Sequence, residues 1–311
     1  MPAATVVITT FNRSHLLPRA IESAQGAGSD LEIIVVDDAS SDDTRKVCSY
    51  LPDIKYIRLE KNGGLANARN VGIAASSCDF ISFLDDDDLR LPDSIDKQLT
   101  ILSSDETSAL CYGQTLLGDA ERQIPTGQVY PGHCPKGDIF WELLESNFIP
   151  MPSVLARKSC LLAAGGFNTE LKLIEDWDMW LRISEVARVI AFAEPVAIHR
   201  KAIAKSDQMC SNSIELCQYS LRVQDMALSR KRAQAGTNAQ RRKVRQELLN
   251  RSFEILMTEA TQAIHEGDAT SARAKLRQAF RLRPFRTIAS GRIPWLMIPN
   301  AMLKDYEDSS V

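Results

Sequence analysis

Several signatures that assign a function at once are missing from this sequence of 311 residues. Neither G-x-G-x-x-G nor G-x-x-x-x-G-K-[ST] occurs, which argues against a dinucleotide-binding turn and against a P-loop. Histidine is scarce, with four residues in the whole chain, and a histidine-rich zinc site is therefore not expected. The seven cysteines form no Cys-x-x-Cys pair, and this odd number of thiols without metal-type spacing is typical of a reducing cytosol.

A long hydrophobic run is also missing, although 44% of the residues are hydrophobic. No apolar stretch approaches the ~18–20 residues that a helix needs to cross a membrane. The N-terminal segment "MPAATVVITTFNR" has no basic region followed by a cleavage site, so we expect no secretory signal. Together these features predict a cytoplasmic protein with enough apolar residues for one large domain and an appendage.

Positive and negative charges are unevenly distributed along the chain. Residues 1–227 carry 21 Lys and Arg against 32 Asp and Glu, whereas residues 228–292 carry 15 against 5. Two interpretations of this basic region stay open: a solvated or packed helical face, or peripheral contact with the inner face of a membrane. The short apolar stretch at 293–303 fits either docking on the protein body or lying on a membrane surface. We do not expect nucleic acid as a partner.

Apolar strands alternate with helical segments over the first part of the sequence. β-Branched and apolar runs predict strands at 5–10, 31–38, 53–59, 80–84 and 109–113. Helices are predicted between and after them, at 14–25, 42–51, 66–76, 92–104, 138–146 and 175–187. This order is typical of an α/β fold in which helices flank a mostly parallel sheet.

From about residue 212 onward the pattern is entirely helical. One apolar stripe follows spacings of three and four, through Val244, Leu248, Leu249, Phe253, Leu256, Ala260 and Ile264. A second helix is predicted at 269–282, so the two form a helical hairpin. We therefore predict two domains, an α/β domain at 1–211 and a basic helical appendage at 212–311.

Polar side chains gather where the predicted strands end. In a parallel α/β sheet, ligands bind beyond the carboxyl ends of the strands, where loops and helix N-termini converge. The candidates in chain order are Thr9, Phe11, Arg13, Asp38, Asn67, Arg69, Asp85, Asp86 and Asp87. Clustered carboxylates suit Mg²⁺ or Mn²⁺, which takes one or two protein carboxylates and then the oxygens of a diphosphate. The sequence thus favours a metal and diphosphate site at this edge of the sheet.

Each candidate has a chemical role and an ordinary alternative. Phe11 is able to stack on a base, Asp38 is able to bond a base or a ribose hydroxyl, and the two arginines are able to offset phosphate charge. The alternatives are strand-end residues and surface cations without a ligand. For the acidic run at 85–88, the alternative is a plain solvated turn. Asp88 itself is expected to cap the helix that begins near Pro92.

Five segments of the chain resemble the family 2 glycosyltransferases, which have the GT-A fold. In chain order they read "VVITTFNRSHLLPRAIES", "EIIVVDDASSDDT", "KNGGLANARNVGI", "FISFLDDDDLRLPD" and "GGFNTELKLIEDWDMWLRI". They follow the family's order and cover about residues 4–200. The resemblance implies an inverting transferase that takes its sugar from a nucleotide-diphosphate sugar, usually a UDP-sugar, with Mn²⁺ or Mg²⁺ as the ion.

The resemblance also implies roles for individual residues. The family's D-x-D motif corresponds to residues 85–87, where Asp87 would coordinate the metal and Asp86 would face the ribose and the metal's waters. Arg69 falls near the donor sugar and its phosphates. Three further residues fall where the family binds uracil and ribose: Thr9, Phe11 and Asp38.

By the same resemblance, the catalytic base is the aspartate of a Glu-Asp pair, here Asp176, with Glu175 orienting the acceptor. An acceptor hydroxyl must lose its proton as it attacks the anomeric carbon, and a positioned carboxylate accelerates that step about 10²–10⁴-fold. The alternative is that Asp176 is only the N-cap of its helix. Trp177 and Trp180 share helical spacing and are either core residues or a stacking platform for the acceptor.

The sequence departs from the family at two points. The Q-x-x-R-W motif of processive polymer synthases is missing, which favours the transfer of one sugar per event. Many relatives carry Y-R-x-H after the last core strand, but "AIHRKAIAKS" has His199 at the aromatic position and Ala202 at the histidine position. A histidine ligand to the metal is therefore not assigned.

These observations predict a glycosyltransferase that adds one sugar to a glycan, lipid-linked or protein acceptor in cell-surface polysaccharide or glycan synthesis. One alternative is a nucleotidyltransferase, which also holds a metal and a nucleotide on an α/β sheet but releases pyrophosphate. The other is a sugar-nucleotide-binding scaffold without catalysis, which would need no Glu175 and Asp176 pair. Contacts to the acceptor are expected in loops at 114–150 and 199–215.

Overall fold

The computed structural model describes residues 2–119, 124–200 and 212–290. The chain divides into two units, Met1–Gln208 and Met209–Val311. In the described residues, the first unit is an α/β domain and the second is helical.

Four features predicted from the sequence fall on or beside residues outside the described ranges. The domain boundary between residues 211 and 212 lies at the end of such a segment and stays a prediction. The apolar stretch at 293–303 and Ala202 are not described, and neither is most of the predicted acceptor segment at 199–215.

All the strands and helices predicted for the first unit are present, and the structure adds strands that the sequence pattern did not indicate. The strands are β1 (Ala4–Thr10), β2 (Leu31–Asp37), β3 (Ile54–Arg58), β4 (Phe80–Asp85), β5 (Leu89–Arg90), β6 (Ser108–Gly118), β7 (Pro125–Tyr130), β8 (Val154–Arg157) and β9 (Arg188–Arg200). The helices are α1 (Leu17–Gln25), α2 (Thr44–Ser49), α3 (Leu65–Ala75), α4 (Ser94–Ser103), α5 (Phe140–Glu145), α6 (Lys158–Ala163) and α7 (Glu175–Ser184).

These strands form one sheet in the order β3-β2-β1-β4-β8-β6-β9-β5, with β7 beside β6. The first four strands of this order are parallel. Beyond them the sheet is mixed, because β8 runs antiparallel to both β4 and β6 while β9 runs parallel to β6. The α/β fold is as predicted, and the parallel part brings the carboxyl ends of β1, β2 and β4 to one edge.

Alternate residues of β1 face opposite sides of the sheet. Val6 and Ile8 are fully buried in a cluster with Leu17 of α1. On the other side α3 approaches so closely that a Cβ on Gly72 would lie 2.2 Å from a methyl group of Val7. Helices therefore cover both faces of the sheet at β1, which explains why this strand is apolar at consecutive positions.

The second unit consists of helices in the described residues. They are α8 (Ser213–Leu228), α9 (Lys231–Ala235), α10 (Asn238–His265), α11 (Ala269–Leu282) and α12 (Pro284–Ala289). A capping box between Thr237 and Gln240 starts α10. The predicted helical hairpin is confirmed, since Leu256 of α10 and Leu276 and Ala279 of α11 share one buried core. Among the described residues, no helix is both long and apolar enough to cross a membrane.

Candidate active site

The register of β1 and β4 brings the first polar side chains of the site together. Thr9 pairs with Asp85 across the two parallel strands, and its hydroxyl donates to Asp85 Oδ1 at 3.3 Å. The next residue on β1, Thr10, donates to Asp86 Oδ2 at 2.7 Å. The end of β1 therefore holds the first two aspartates of the acidic run.

Asp86 is enclosed by the protein and is only 3% exposed. Arg13 Nη1 donates to its Oδ1 at 3.0 Å. Burial raises the pKa of Asp86 to about 7, with Arg13 opposing the shift and Asp87 adding to it. Both carboxylate oxygens of Asp86 thus accept hydrogen bonds within the chain, and this residue connects the end of β1 with Arg13.

Asp87 is surrounded by arginines. Its Oδ2 accepts from Arg13 Nη1 at 3.2 Å and from Arg200 Nε and Nη2 at 3.0 and 2.7 Å. Arg200 is the last residue of β9, so a distant part of the sheet supplies a cation to the end of β4. Two guanidinium groups therefore lie beside the aspartate that was predicted to bind the metal.

Asp88 connects the acidic run to β9. It is 1% exposed, and its carboxylate accepts from the Arg200 backbone N–H at 2.8 Å and lies 3.1 Å from His199 Nδ1. The neighbouring Asp88 raises the pKa of His199 to about 9, because it stabilises the imidazolium form. The interpretation of Asp88 as a cap for the following helix is wrong, since its two oxygens face β9.

Three of the four aspartates form a group that suits a metal ion. One oxygen each from Asp85, Asp87 and Asp88 lies within 4.8 Å of the others. Carboxylate oxygens are hard ligands of the kind that Mg²⁺ and Mn²⁺ prefer. These three carboxylates therefore fit the predicted divalent ion. They include Asp87, which was predicted as the ligand, and also Asp88, whereas Asp86 lies outside the group.

Arg69 connects the acidic run to a second acidic group. This arginine of α3 is 2% exposed. Its Nη2 donates to Asp85 Oδ1 at 2.7 Å, and its Nη1 donates to Glu175 Oε1. The guanidinium carbon also lies 5.6 Å from the centre of the Phe167 ring. Burial acts to raise the pKa of Asp85, but the Arg69 guanidinium outweighs it and holds that pKa below its usual range.

Glu175 and Asp176 begin α7 directly after a strained residue. Ile174 has a φ of 53°, a left-handed conformation that is costly for a β-branched side chain. Asp176 Oδ2 accepts from Asn147 Nδ2 at 3.1 Å, and its Oδ1 accepts from the Trp177 N–H at 2.6 Å. Asp176 is the second residue of the helix, so the interpretation of this residue as the N-cap is wrong.

Both carboxyl groups of this pair have raised pKa values. Burial raises the pKa of Glu175 to about 7 against the opposing effect of Arg69, and Asp176 adds to the increase. Burial also raises the pKa of Asp176, with Arg69 again opposing it. A carboxylate with a raised pKa is a stronger base than a solvated one, which suits proton abstraction near neutral pH.

The two tryptophans of α7 are core residues. Trp177 and Trp180 are 2% and 1% exposed, and Trp177 Nε1 donates to the Leu143 carbonyl at 2.7 Å. Since neither ring has an accessible face, the alternative of a stacking platform for an acceptor is wrong. Their packing instead fixes the helix that carries Glu175 and Asp176.

The remaining predicted residues lie around the ends of β1 and β2. Asp38 accepts from the backbone N–H groups of Gly63 and Gly64 at 2.7 and 2.8 Å. Gly64 has a φ of 83° and immediately precedes α3, a conformation that favours glycine. Phe11 is 44% exposed, so its ring is accessible for stacking. Asn67 lies in α3, where its side chain packs beside Gly63.

The family model described as "Glycosyl transferase family 2" matches residues 5–160, half of the chain. The chain belongs to glycosyl transferase family 2. The match includes β1 except for its first residue, all of β2 to β4 and the whole acidic run, and it ends before Glu175 and Asp176. The resemblance inferred from the five sequence segments is thereby confirmed.

Curated relatives of this family 2 protein match part of its length. An uncharacterised glycosyltransferase of Haemophilus influenzae is 30% identical over 183 residues, which cover 58% of this chain and 61% of that protein. The GalNAc(5)-diNAcBac-PP-undecaprenol β-1,3-glucosyltransferase of Campylobacter jejuni is 40% identical over 124 residues, 38% of this chain and 39% of that protein. The chain thus spans less than two thirds of either relative.

A solved structure shares the fold. The crystal structure of S. aureus TarS 1–349 in complex with UDP-GlcNAc aligns with a TM-score of 0.64 and 20% identity, over 92% of this chain and 83% of that chain. At this identity the similarity concerns the fold alone. It agrees with the predicted GT-A fold followed by a helical region.

Two residues that the structure brings to the candidate site were not predicted from the sequence. Arg200 contacts Asp87 across 113 positions, and Asn147 contacts Asp176 across 29. The only sequence signal for Arg200 was weak: it is a basic residue at the end of a long strand. An asparagine in a loop carries no comparable signal, because this residue type is common in turns.

Proposed function

We propose that this family 2 protein transfers one sugar from a UDP-sugar to an acceptor hydroxyl, with inversion at the anomeric carbon. The observation that carries the proposal is the position of Arg69, which bonds Asp85 of the acidic run and Glu175 beside the proposed base. The Arg69 side chain therefore connects the acidic run, which we assign to donor binding, with the carboxylate pair that we assign to proton transfer. A scaffold that only bound nucleotides would need the first of these groups alone.

The donor side of the site supports a nucleotide-diphosphate sugar. We assign donor binding to Thr9, Phe11, Arg13, Asp38, Asn67, Arg69, Asp85 and Asp86. The guanidinium groups of Arg13 and Arg200 are the charged donors that suit a diphosphate. UDP is our choice of nucleotide because a protein of the same fold has been solved with UDP-GlcNAc.

The acidic run would hold the divalent ion. The carboxylates that fit Mn²⁺ or Mg²⁺ are those of Asp85, Asp87 and Asp88. When bound, such an ion supplies positive charge that offsets the negative charge of the departing UDP. Arg13 and Arg200 hold the Asp87 carboxylate in place through its Oδ2 atom.

Asp176 would act as the general base. Its carboxylate is oriented by Asn147 and by the first turn of α7. It accepts the proton of the acceptor hydroxyl while that oxygen attacks the anomeric carbon from the side opposite the leaving group. The bond to UDP breaks as the new glycosidic bond forms, and UDP leaves with the electron pair. Glu175, held by Arg69, orients the acceptor.

The acceptor that we favour is a lipid-linked glycan. The C. jejuni relative is named for an acceptor on undecaprenol diphosphate. The missing Q-x-x-R-W motif supports the addition of one sugar per event. An acceptor of this kind would place the protein in the cytoplasm, at the inner face of the membrane.

A thermal-shift panel tests the donor assignment. UDP-, GDP-, dTDP- and CMP-sugars are added one at a time with Mn²⁺. A ligand that binds only the folded state raises Tm by mass action, and we expect this response for a UDP-sugar. A panel without any response contradicts the donor site.

Product analysis separates the proposed transfer from the two alternatives. A UDP-sugar that binds is incubated with an extract of lipid-linked acceptors, and the released product is identified. We expect UDP. Pyrophosphate would indicate a nucleotidyltransferase, and binding without any released product would indicate a scaffold.

A further inference from the structure

The last two helices of the described chain carry charge of a single sign. Residues 269–290, which include α11 and α12, contain no Asp or Glu. Their six basic residues are Arg273, Lys275, Arg277, Arg281, Arg283 and Arg286. A cluster of this kind attracts an anionic surface over about 8–10 Å at moderate ionic strength.

Four of the six basic side chains are engaged within the second unit. Arg273 is 5% exposed, and the other three contact α10: Lys275 with Glu259, Arg283 with Asn250 and Arg286 with Glu254. By contrast, Arg277 and Arg281 are exposed and form no ion pair with the described residues. They are four positions apart in α11 and therefore lie on one face of the helix.

Two phenylalanines are exposed close to these arginines in the chain. Phe280 in α11 is 40% exposed, and Phe285 in α12 is 85% exposed. Neither belongs to the core of the second unit, to which α11 contributes Leu276 and Ala279. The structure describes all ten phenylalanines of the chain, and the only other exposed one is Phe11 of the proposed donor site.

We propose that Arg277, Phe280, Arg281 and Phe285, the aromatic–arginine surface, dock on an anionic lipid bilayer. A phenylalanine ring enters the boundary between headgroups and acyl chains, while a neighbouring guanidinium stays with the lipid phosphates. The exposed rings and exposed arginines of these two consecutive helices match both layers. This surface goes beyond the proposed transfer and does not depend on it, so either proposal can fail while the other stands.

A lipid surface fits these residues better than a nucleic acid. Single-stranded nucleic acid also binds arginine and aromatic side chains. However, its affinity comes mainly from many phosphate contacts, and Arg277 and Arg281 supply two. A bilayer adds an apolar layer for the rings, which the phosphate backbone lacks.

Co-sedimentation of the full chain with vesicles tests the docking. Phosphatidylcholine vesicles with and without phosphatidylglycerol are compared at low and high salt. We expect binding to the anionic vesicles that weakens as salt is raised. Arg277→Gln combined with Arg281→Gln should weaken it about 30-fold, at about fivefold for each basic residue near the surface. Glutamine keeps a similar helix propensity, so the helix is retained.

A matched control removes the same charge elsewhere. Arg45 and Lys46 are exposed neighbours on α2, and Arg45→Gln combined with Lys46→Gln should bind vesicles as the wild type does. A second variant, Phe280→Ser combined with Phe285→Ser, should also weaken vesicle binding and leave Tm unchanged, because neither ring is part of the core.

Four results would overturn the proposal. The first is a loss of vesicle binding in the Arg45 and Lys46 control equal to that in the Arg277 and Arg281 variant, which would show that only the net charge of the protein matters. The second is equal binding to neutral vesicles. The third is arginine-dependent binding of a single-stranded oligonucleotide without vesicle binding. The fourth is a lower Tm of the phenylalanine variant with unchanged vesicle binding, which would show that the rings pack on the chain itself.

Discussion

The two acidic groups of the site differ in how the protein compensates their charge. Cationic side chains from separate parts of the fold surround the acidic run at 85–88: Arg13, Arg69, His199 and Arg200. Glu175 and Asp176, the helix-start pair, contact a single arginine among the described residues, Arg69, together with the amide of Asn147.

This difference in charge compensation sets Asp85 apart from the helix-start pair. In the acidic run, Arg69 keeps the pKa of Asp85 below its usual range, so this carboxylate stays charged and able to attract a cation. Burial raises the pKa of Asp86 to about 7 and that of Asp88 to about 6, so the lowered pKa is a property of Asp85 and not of the whole run. In the helix-start pair, burial raises both pKa values, so a proton is taken up more readily. Carboxylates of the same type thus acquire different chemistry from their surroundings.

The largest effect is expected from Asp176→Asn, which removes the proton acceptor and leaves the acidic run intact. The value of kcat should fall about 10²–10⁴-fold, the usual contribution of a general base, while UDP with Mn²⁺ still raises Tm. Steady-state kinetics and thermal shift measure the two effects. Glu170→Gln, at an exposed position before α7, is the control and should keep its turnover. Unchanged turnover of Asp176→Asn would contradict the base assignment.

A smaller effect is expected from Asp87→Asn, which changes the acidic run and leaves the base intact. Catalytic efficiency should fall about 10²-fold, because charge stabilisation by a bound ion is worth several kcal/mol. Calorimetric titration with Mn²⁺ measures the loss of metal affinity. Asp86→Asn is the matched control, since Asp86 lies outside the group of three carboxylates. If both variants lost Mn²⁺ affinity equally, the distinction between these neighbouring aspartates would be wrong.

Arg69→Lys tests the connection between the two acidic groups. Lysine keeps the charge but lacks the planar fork that reaches Asp85 and Glu175 together. Loss of one charged hydrogen bond is worth about 1.5–3 kcal/mol, so kcat should fall at least about tenfold. A double-mutant cycle with Asp176→Asn should give non-additive effects. Additivity of the two changes would show that Arg69 acts independently of the base.

The smallest effect concerns the pH profile. A base with a raised pKa is active above that pKa and loses activity as pH falls through it. The acid limb of kcat/KM should therefore lie above the usual range of an aspartate, because burial raises the pKa of Asp176. Glu175→Gln removes a negative charge beside Asp176 while Arg69 and Asp85 still face it, so the limb should move to lower pH. A wild-type limb near about pH 4, the value of a solvated aspartate, would refute this.

The strands of the parallel part were predictable because each leaves a local mark. Strands β1, β2 and β4 are apolar runs bounded by turn residues. Strand β7 was not predicted because all six of its residues are exposed, so no buried face produces a hydrophobic pattern. Strand β5 has two residues, which is too short for any periodicity.

The contacts between residues of the candidate site were less predictable than the identities of those residues. Asp85 and Asp87 could be proposed as site residues because they lie at the end of a buried strand and just after it. The contact of Arg69 with Glu175 joins residues 106 positions apart, and that of Arg200 with Asp87 joins residues 113 apart. Such pairs depend on the order of strands in the sheet, which no local spacing encodes.

By itself, the sequence determined the alternation of strands and helices, the acidic run, the helix-start pair and the resemblance to family 2. Only the tertiary structure decided that Asp88 faces β9, that both tryptophans of α7 are buried, and that Arg69 is shared between two acidic groups. The physical reason is that burial and charge compensation depend on distances through space. Those distances are set only when β9 and α7 reach the edge of the sheet where β1 and β4 end.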